Sequence, residues 1–184
     1  GMENMSNSPH LAHIRGGIKF GPGELIDHMQ HDGLTCAFEG WGMGNAAEWT
    51  ATKYNISRDE QDAFSAASHQ RAATAIESGW FSSETISLEA EKIKQRADVT
   101  QDEGVRAEST TESLGKLRPA FAKEGSVTAG NASQISDGGA AVIVTTQENA
   151  SAIGSEILCR IVDYNTFGVE PKKIFTAPGL GIEQ

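Results

Sequence analysis

The chain has 184 residues, of which 38% are hydrophobic, and its formal net charge is −10 at pH 7. This length is sufficient for one ordinary domain with its own hydrophobic core. The acidic balance argues against binding to nucleic acid or an anionic membrane, and no apolar run approaches the roughly 20 residues that a membrane span needs, so we expect a cytoplasmic protein.

The first predicted element is an extended, exposed hairpin over residues 8–23. Two glycine signals mark its turns, RGG at 15–17 and GPG at 21–23. Residues 24–31 then have the apolar spacing of a short helix. His28 and His31 are three positions apart on that helix. Because no third ligand is nearby, we interpret both as solvated histidines and predict no metal site.

Two helices are predicted in the middle of the chain. The first spans residues 43–53. The second begins after Ser57, because Ser57 and Glu60 form an S-x-x-E capping box, in which each side chain accepts a hydrogen bond from a backbone N–H of the first turn. Its alanine-rich sequence favours a helix and permits close packing, and Gly79 is expected to end it. We attach no chemistry to this helix.

Beyond the second helix, polar stretches alternate with short apolar runs. Residues 84–104 are rich in charge and predict a short strand at 86–88, followed by an excursion over the surface. The continuous β-branched run GGAAVIVT at 138–145 is typical of a strand covered on both faces in a layered α/β fold. After it we predict a helix at 147–153, a strand at 158–164 and the end of regular structure at Pro171.

The most distinctive segment is the run KLRPAFAKEGSVTAGNAS at residues 116–133. Pro119 has a fixed φ and stands two positions before the aromatic Phe121, which suits a rigid ledge rather than a flexible loop. From Thr128 to Ser133 the side chains are small, so another group can approach the backbone closely.

This segment resembles, nearly letter for letter, the acyl-CoA-contacting segment of the thiolase family, the acetyl-CoA acetyltransferases and 3-ketoacyl-CoA thiolases. Further runs match the family in the same order: GMENMS at 1–6, DGLT at 32–35, MGNAAE at 43–48, SRDEQD at 57–62, DGGAA at 137–141 and GVEP at 168–171. The resemblance extends over essentially all of the chain. It covers only the middle of the family's sequence, about half of it.

The resemblance implies an α/β fold that is thiolase-like but partial. Residues 1–135 would form the mostly helical lid (loop) domain, which covers the active site and contacts CoA, and residues 136–184 the first strands and helix of the layered α/β core. In the family the hairpin at 8–23 joins dimers into tetramers, so a homo-oligomer is implied. Because the core strands would pair with strands outside this chain, we expect the run at 138–145 to promote self-association.

The resemblance assigns no catalytic residue to this chain. Thiolases are two-step acyltransferases in which a cysteine thiolate takes the acyl group from a thioester, while a second cysteine and a histidine handle the protons. The family's motifs for these residues lie outside the matched region. Cys36 and Cys159 fall in neither cysteine motif and are predicted to be small buried residues without a disulfide. We therefore expect the chain alone to be inactive, as a gene fragment, a truncated form or one part of a split enzyme.

Eight residues match positions at which the family contacts CoA: Met43, Arg106, Ser113, Leu117, Ala120, Phe121, Ala129 and Ser133. The resemblance places Arg106 at the phosphate or adenine end, which suits a guanidinium. The members between 113 and 121 would line the groove for adenine and pantetheine. Ala129 and Ser133 would hold pantetheine through backbone and hydroxyl contacts, and Met43 would flank the acyl and pantetheine site.

The implied activity is that of an acyl-CoA C-acyltransferase in fatty acid metabolism, by Claisen condensation of acetyl-CoA or thiolysis of a 3-ketoacyl-CoA. The substrate is a CoA thioester, and no external cofactor or metal is implied. Gly42 stands where many short-chain members have histidine, which leaves room for a longer or branched acyl chain. Two alternatives stay open: a stand-alone, non-catalytic CoA-binding or assembly module, and a decarboxylative or acyl-transferring relative of the same fold.

Overall fold

The computed structural model describes residues 1–94 and 96–183. In chain order, the strands of the described residues are β1 Met2–Asn4, β2 His10–Leu11, β3 Ile26–Asp27 and β4 Asp137–Gly139. The α-helices are α1 Met43–Tyr54, α2 Arg58–Glu77, α3 Ala90–Ile93, α4 Thr111–Gly115, α5 Gln147–Ala152 and α6 Ala177–Ile182. The described residues also form a π-helix at Met29–Gly33 and 3-10 helices at Met5–Asn7 and Pro171–Thr176. Within these ranges, none of the helices is both long and apolar enough to cross a membrane.

The chain divides into two compact units. The first contains Gly1–Gly42 and Ile135–Gln184, and the second is Met43–Gln134. All eight residues predicted to contact CoA therefore belong to the second unit. The assignment of 1–135 to a lid and 136–184 to a core stays a prediction about the longer family fold.

The first unit contains two short antiparallel ladders. One joins β1 to β4, and the backbones of Gly1 and Ala140 extend it by exchanging hydrogen bonds of 2.8 and 2.9 Å. The Ser6 N–H donates to Oδ1 of Asp137 at 2.9 Å, which stabilises the carboxylate and lowers the pKa of Asp137. The N-terminal residues are thus tied to a strand more than a hundred positions away.

The second ladder pairs β2 with β3 and encloses the region of the predicted hairpin. The return arm reaches Asp27, and Phe20 between the arms is 99% exposed. The predicted helix at 24–31 is wrong in its first half, because residues 26–27 form a strand and the helical turn begins only at Met29. Pairing with a distant strand has outweighed the local apolar spacing.

The second unit confirms both helices predicted in the middle of the chain. α1 covers the predicted span of 43–53, and α2 starts directly after Ser57. The capping box is formed: the Glu60 N–H donates to Ser57 Oγ at 3.2 Å, and the Ser57 N–H donates to Glu60 Oε2 at 2.8 Å. The helix ends before Gly79, whose φ of +70° is the left-handed conformation that glycine adopts most easily.

Small residues dominate the interior of the second unit, where α2 packs against α4. Its buried apolar side chains are Ala46, Ala51, Ala66, Ala75, Leu114 and Val127. Among the described residues of this unit, the polar residues Asp62, Ser109 and Thr128 are also buried. Burying a polar group is unfavourable unless it is hydrogen-bonded. These three residues therefore mark the places where the unit contains buried, hydrogen-bonded polar groups.

Three predicted strands are wholly or partly wrong within the described residues. The one at 86–88 is reduced to a bridge between Leu88 and Val99. The strand at 138–145 ends at Gly139, and 158–164 forms no regular structure. Val142 and Leu158 are 87% and 88% exposed. Apolar β-branched runs need neighbouring strands to complete their hydrogen bonds, and the described residues supply only β1.

The C-terminal helices include one confirmed prediction and one error. α5 lies within the predicted 147–153, and its cap, Thr146, accepts a hydrogen bond from the Asn149 N–H at 3.3 Å. Pro171 does not end regular structure, since it is the first residue of the 3-10 helix that leads into α6. Proline is tolerated at that position because the first N–H groups of a helix have no intrahelical partner.

Candidate functional site

The segment 116–133 folds back on itself as a tight antiparallel loop. The Ala120 N–H donates to the carbonyl of Val127 at 2.9 Å, and Pro119 forms a bridge with Thr128. This pairing holds the ledge, formed by Pro119 and Phe121, against the small-residue run at 128–133. The rigidity that the sequence suggested for this segment therefore has a second source, since the ledge is hydrogen-bonded as well as restricted by proline.

Glu48 of α1 holds the second half of this loop at residues 126 and 127, which we call its return arm. Its carboxylate accepts hydrogen bonds from the backbone N–H groups of Ser126, at 2.9–3.0 Å, and Val127, at 2.9 Å. The Ser126 hydroxyl adds a hydrogen bond to Glu48 of 3.2 Å and accepts another from Gln61 Nε2 at 2.9 Å. One acidic side chain thus satisfies two successive backbone donors, which fixes the direction of the chain there.

Asp62 of α2 is the centre of a second polar cluster and is only 2% exposed. Arg58 Nε donates to Asp62 Oδ2 at 2.7 Å, and Asn131 Nδ2 donates to Asp62 Oδ1 at 2.9 Å. Asn131 also accepts from the Thr128 N–H at 2.7 Å and donates to the Ser126 carbonyl at 3.1 Å. The buried charge is therefore paired and hydrogen-bonded, as a buried carboxylate must be.

The Arg58 guanidinium connects this cluster to the start of the segment. Its terminal nitrogen donates to the carbonyls of Leu114, at 2.7 Å, and Leu117, at 3.0 Å. These carbonyls lie where α4 ends, and such groups have no partner within the helix. The same side chain thus neutralises Asp62 and caps α4.

Two glycines admit the larger side chains of the candidate site. The ring of Phe121 lies on Gly44, where a methyl group would overlap it, and Asn45 Nδ2 donates to the Phe121 carbonyl at 2.9 Å. Gly130 lies against Leu117, since a Cβ there would come within 2.6 Å of that side chain. The structure therefore brings Phe121 to the start of α1, next to Met43, and Leu117 to the small-residue run, next to Ala129.

Most of the predicted CoA-contacting residues have accessible surface. Leu117 and Phe121 are 39% and 41% exposed, and Ala120, Ala129 and Ser133 are also exposed. Met43 is half-buried at the first position of α1. This exposure leaves the ledge, Ala129 and Ser133 accessible to a ligand, whereas Thr128 in the small-residue run is fully buried.

The segments that contain Arg106 and Ser133 are linked by a hydrogen bond between neighbouring residues. Gln134 Nε2 donates to the Gly104 carbonyl at 3.0 Å, which brings the segment preceding Arg106 beside the end of the small-residue run. The backbone N–H of Arg106 donates to His69 Nδ1 at 3.2 Å, while its side chain is exposed. Arg106 thus follows by two positions a residue that is hydrogen-bonded to the sequence neighbour of Ser133.

Ser113 is the predicted site residue whose side chain already has a structural task. Its hydroxyl donates to the Thr110 carbonyl at 2.9 Å and accepts from the Thr110 N–H at 3.0 Å, which caps α4. A contact between Ser113 and CoA would therefore compete with the cap or use another of its atoms.

A cavity of about 480 Å³ lies beside Glu48 and the turn that joins α1 to α2. Its walls are Glu48, Ala51, Thr52, Asn55, Ile56, Ser57, Arg58, Glu124, Gly125 and Ser126. None of the eight predicted CoA-contacting residues lines it. The cavity therefore touches the segment 116–133 at residues 124–126, on a surface that carries none of the predicted CoA contacts.

The cysteines differ from their prediction. Both are free, and Cys36 is half-buried, but Cys159 is exposed, so its predicted burial is wrong. The reason is the missing strand at 158–164, because residues without a ladder or a covering layer stay in contact with solvent.

His31 of the π-helix and His28 at its N-cap share one carboxylate. His28 Nε2 and His31 Nδ1 lie 3.2 and 2.6 Å from the oxygens of Asp32. The hydrogen bond from His31 is the main cause of the lowered pKa of Asp32. Across residues 1–94 and 96–183, no group of three acidic, histidine or cysteine side chains could hold a metal ion.

Solved structures define the class of fold. The acetyl-CoA acetyltransferase of Bacillus anthracis matches all of this chain with a TM-score of 0.90 and 38% identity. Human mitochondrial 3-ketoacyl-CoA thiolase, solved in complex with CoA, also matches all of it, with a TM-score of 0.90 and 35% identity. In both cases the match covers 46% of the solved chain. The fold is therefore a partial thiolase fold of mixed helix and sheet, as the sequence predicted.

Sequence comparisons define the family. The thiolase N-terminal domain matches residues 1–148. An acetyl-CoA acetyltransferase of Rhizobium meliloti is 47% identical over 178 residues, and one of Escherichia coli is 44% identical over 180 residues. Each alignment covers 97% of this chain, but only 45% and 46% of the relative. The chain belongs to the thiolase family, and it spans a little under half the length of these curated relatives.

Glu48, Arg58 and Asp62 frame the candidate site, and none of them is among the site residues predicted from the sequence. A signal was present, because all three lie in the runs MGNAAE and SRDEQD that resemble the family. The first turns of α2 hold the segment that carries the predicted contacts, which is a structural role and consistent with a helix without chemistry.

Proposed function

We propose that this chain forms the CoA-binding part of a thiolase-type acyl-CoA C-acyltransferase, an acetyl-CoA acetyltransferase that acts by Claisen condensation or by thiolysis of a 3-ketoacyl-CoA. The observation that carries the proposal is the framed segment 116–133, which offers an exposed apolar ledge beside an accessible backbone. The names of the relatives support the activity, and a structural neighbour solved with CoA supports the ligand.

The chemistry of CoA fits the surfaces of the second unit. The exposed side chain of Arg106 carries the charge that a phosphate requires. The partly exposed Leu117 and Phe121 provide apolar surface for the adenine and pantetheine groups. The exposed Ala129 and Ser133 leave a backbone and a hydroxyl that can hydrogen-bond with the pantetheine amides.

In this proposal the chain binds and orients the thioester, and the transfer itself uses the cysteine thiolate of the family mechanism. Neither Cys36 nor Cys159 takes that role. No further cofactor or metal is part of the proposal, because the thioester is itself the activated acyl donor. We expect the chain alone to bind CoA without turnover.

The same proposal places the protein in the cytoplasm, in fatty acid metabolism, as an oligomer. The net charge of −10 supports a freely dissolved protein without affinity for anionic surfaces. The hairpin between β2 and β3, with the fully exposed Phe20, offers a surface through which copies can associate.

The test is a chimera in which this chain replaces the aligned 180-residue region of the Escherichia coli acetyl-CoA acetyltransferase. We expect the chimera to cleave acetoacetyl-CoA or a longer 3-ketoacyl-CoA in the presence of CoA. The parent enzyme is the positive control, and the chimera with Phe121→Ala and Arg106→Ala reports whether the proposed contacts matter.

A chimera that is folded yet inactive toward every chain length would contradict the acyltransferase. If the 184-residue chain nevertheless binds CoA, the non-catalytic binding module becomes the better account. If neither the chimera nor the chain interacts with CoA, both functions are wrong.

A further inference from the structure

The loop that carries the predicted CoA contacts has little apolar support of its own. Of residues 119–131, only Val127 and Thr128 are buried. The conformation must therefore be maintained chiefly by hydrogen bonds, and the partners of those bonds decide where the ledge lies.

The first of these partners is Glu48. Its carboxylate receives the N–H groups of Ser126 and Val127, and the carbonyl of Val127 receives the N–H of Ala120 at 2.9 Å. A continuous chain of hydrogen bonds thus runs from α1 through the return arm to the ledge, next to Phe121. A shift of Glu48 would be transmitted along this chain to the ledge.

The second partner is Asp62, which acts through Asn131. The Asn131 side chain is held by Asp62 at 2.9 Å and spans the turn by bonding the Thr128 N–H and the Ser126 carbonyl. Ala129 lies within the turn that these bonds close. The backbone predicted to receive pantetheine is therefore shaped by a carboxylate in α2.

Both carboxylates are already engaged by hydrogen bonds within the protein. Asp62 is 2% exposed and is paired with Arg58 at 2.7 Å, while the oxygens of Glu48 are occupied by three donors of residues 126 and 127. Direct contact would also be unfavourable, because CoA is an anion. Their effect on a ligand must be exerted through the loop.

We propose that Glu48 and Asp62 are positioning residues for CoA, which fix the two arms of the loop at 119–131 before the ligand arrives. The proposal rests on the proposed function and deepens it. A preorganised loop binds more tightly because less conformational freedom is lost on binding.

The experiment measures CoA binding to the 184-residue chain by isothermal titration calorimetry. The variants are Glu48→Gln, Glu48→Ala and Asp62→Asn, and the controls are Glu89→Gln and Asp59→Asn. Glu89 is an exposed carboxylate paired with Lys92, and Asp59 is exposed one turn before Asp62 on the same helix. Urea unfolding of each variant identifies conditions in which it is folded, so that affinities are compared between folded proteins.

We expect the affinity for CoA to fall about tenfold or more in Glu48→Ala, whose donors lose their acceptor, and in Asp62→Asn, where an amide NH2 faces a donor in place of an acceptor oxygen. Glu48→Gln should recover part of the loss, since the amide oxygen can still accept from Val127. Hydrogen exchange of the Ser126 and Val127 amides should be faster in Glu48→Ala than in Glu48→Gln, and faster in Glu48→Gln than in the unaltered chain. A purely structural role would lower stability and leave the affinity of the folded protein unchanged.

If the folded Glu48 and Asp62 variants bind CoA as tightly as the unaltered chain, the positioning role is wrong, and the proposed function is unaffected. If Glu48→Ala or Asp62→Asn does not fold, Glu48→Gln still decides, because its side chain keeps the size and shape of glutamate. If the unaltered chain does not bind CoA, the positioning role is wrong, and the activity of the chimera decides whether the proposed function fails as well.

Discussion

Asn131 donates a hydrogen bond of 2.9 Å to Asp62, which lies 69 positions earlier in the chain. The contact joins the second turn of α2 to the end of the small-residue run. Because Asp62 is almost completely buried, its two oxygens depend on Arg58 and Asn131 for their partners. This pair is therefore a long-range contact by which the helix and the candidate site stabilise each other.

The first prediction concerns that pair. Asn131→Ala should lower the free energy of unfolding by about 1–3 kcal/mol, because it leaves a buried oxygen of Asp62 and the Thr128 N–H without partners. Urea denaturation followed by circular dichroism measures the change. Asn149→Ala, at an exposed position of α5, is the control and should change stability by less than about 0.5 kcal/mol. Equal effects of both substitutions would contradict the role given to the pair.

Local features of this fold could be predicted from the sequence. The capping box of Ser57 and Glu60 set the start of α2, Gly79 its end, and the helices at 43–53 and 147–153 followed from local composition. Each of these signals operates within one or two turns, so the rest of the chain has little influence on the outcome. The family resemblance of the segment 116–133 likewise predicted the class of fold.

Features that depend on distant residues could not be predicted. β3 displaced the first half of a predicted helix because it pairs with β2, and the apolar run at 138–145 pairs only as far as Ala140. The frame of the candidate site is of the same kind, since Glu48 meets Val127 across 79 positions. Composition and periodicity describe the local sequence and carry no information about such long-range contacts. They therefore do not indicate that Glu48 and Asp62 hold the candidate site.

The second prediction concerns the N-terminal cap of α2. Ser57→Ala removes the hydroxyl that accepts the Glu60 N–H at 3.2 Å, and one end of the capping box is lost. We expect a loss of about 1 kcal/mol in the free energy of unfolding. Ser57→Thr, which keeps the hydroxyl, should recover most of it. If the alanine and threonine variants are equally stable, the cap does not contribute as the geometry implies.

The third prediction concerns pH. The Ser57 N–H donates to Glu60 and lowers the pKa of that carboxyl below its ordinary value of 4.5. A group with a lowered folded pKa stabilises the protein above its unfolded pKa, and the contribution is lost as pH falls through the lower, folded value. The difference in unfolding free energy between the unaltered chain and Glu60→Gln should therefore be constant near neutral pH and shrink below about pH 4.5. A difference that grows on acidification would contradict this sign.

The fourth prediction concerns the ring of Phe121. Gly44 and Gly115 are both in helices, where alanine is favoured over glycine, but only at Gly44 would the new methyl group overlap a ring. The overlap reaches Cγ of Phe121, so the ring cannot avoid it by turning about its own axis. Gly44→Ala should lower the free energy of unfolding by about 1–3 kcal/mol, and Gly115→Ala should leave it unchanged or raise it. Urea denaturation of the two variants gives the answer, and a stabilised Gly44→Ala would show that Phe121 is not packed there.

The fifth prediction concerns association of the chain with itself. Val142, Ile143 and Val144 are 87%, 91% and 73% exposed, and they lie just beyond the ladder of β1 and β4, whose hydrogen bonds end at Ala140. Backbone groups beyond the end of a ladder, flanked by apolar side chains, favour pairing with a second copy. We expect sedimentation equilibrium to detect oligomers, and Ile143→Lys to shift the distribution toward monomer because charge opposes pairing of strand edges. Ser155→Lys, at an exposed position of the same unit, adds the same charge without removing apolar surface and should have a smaller effect. A monodisperse monomer over a wide concentration range, or equal effects of both lysines, would rule out association through this run.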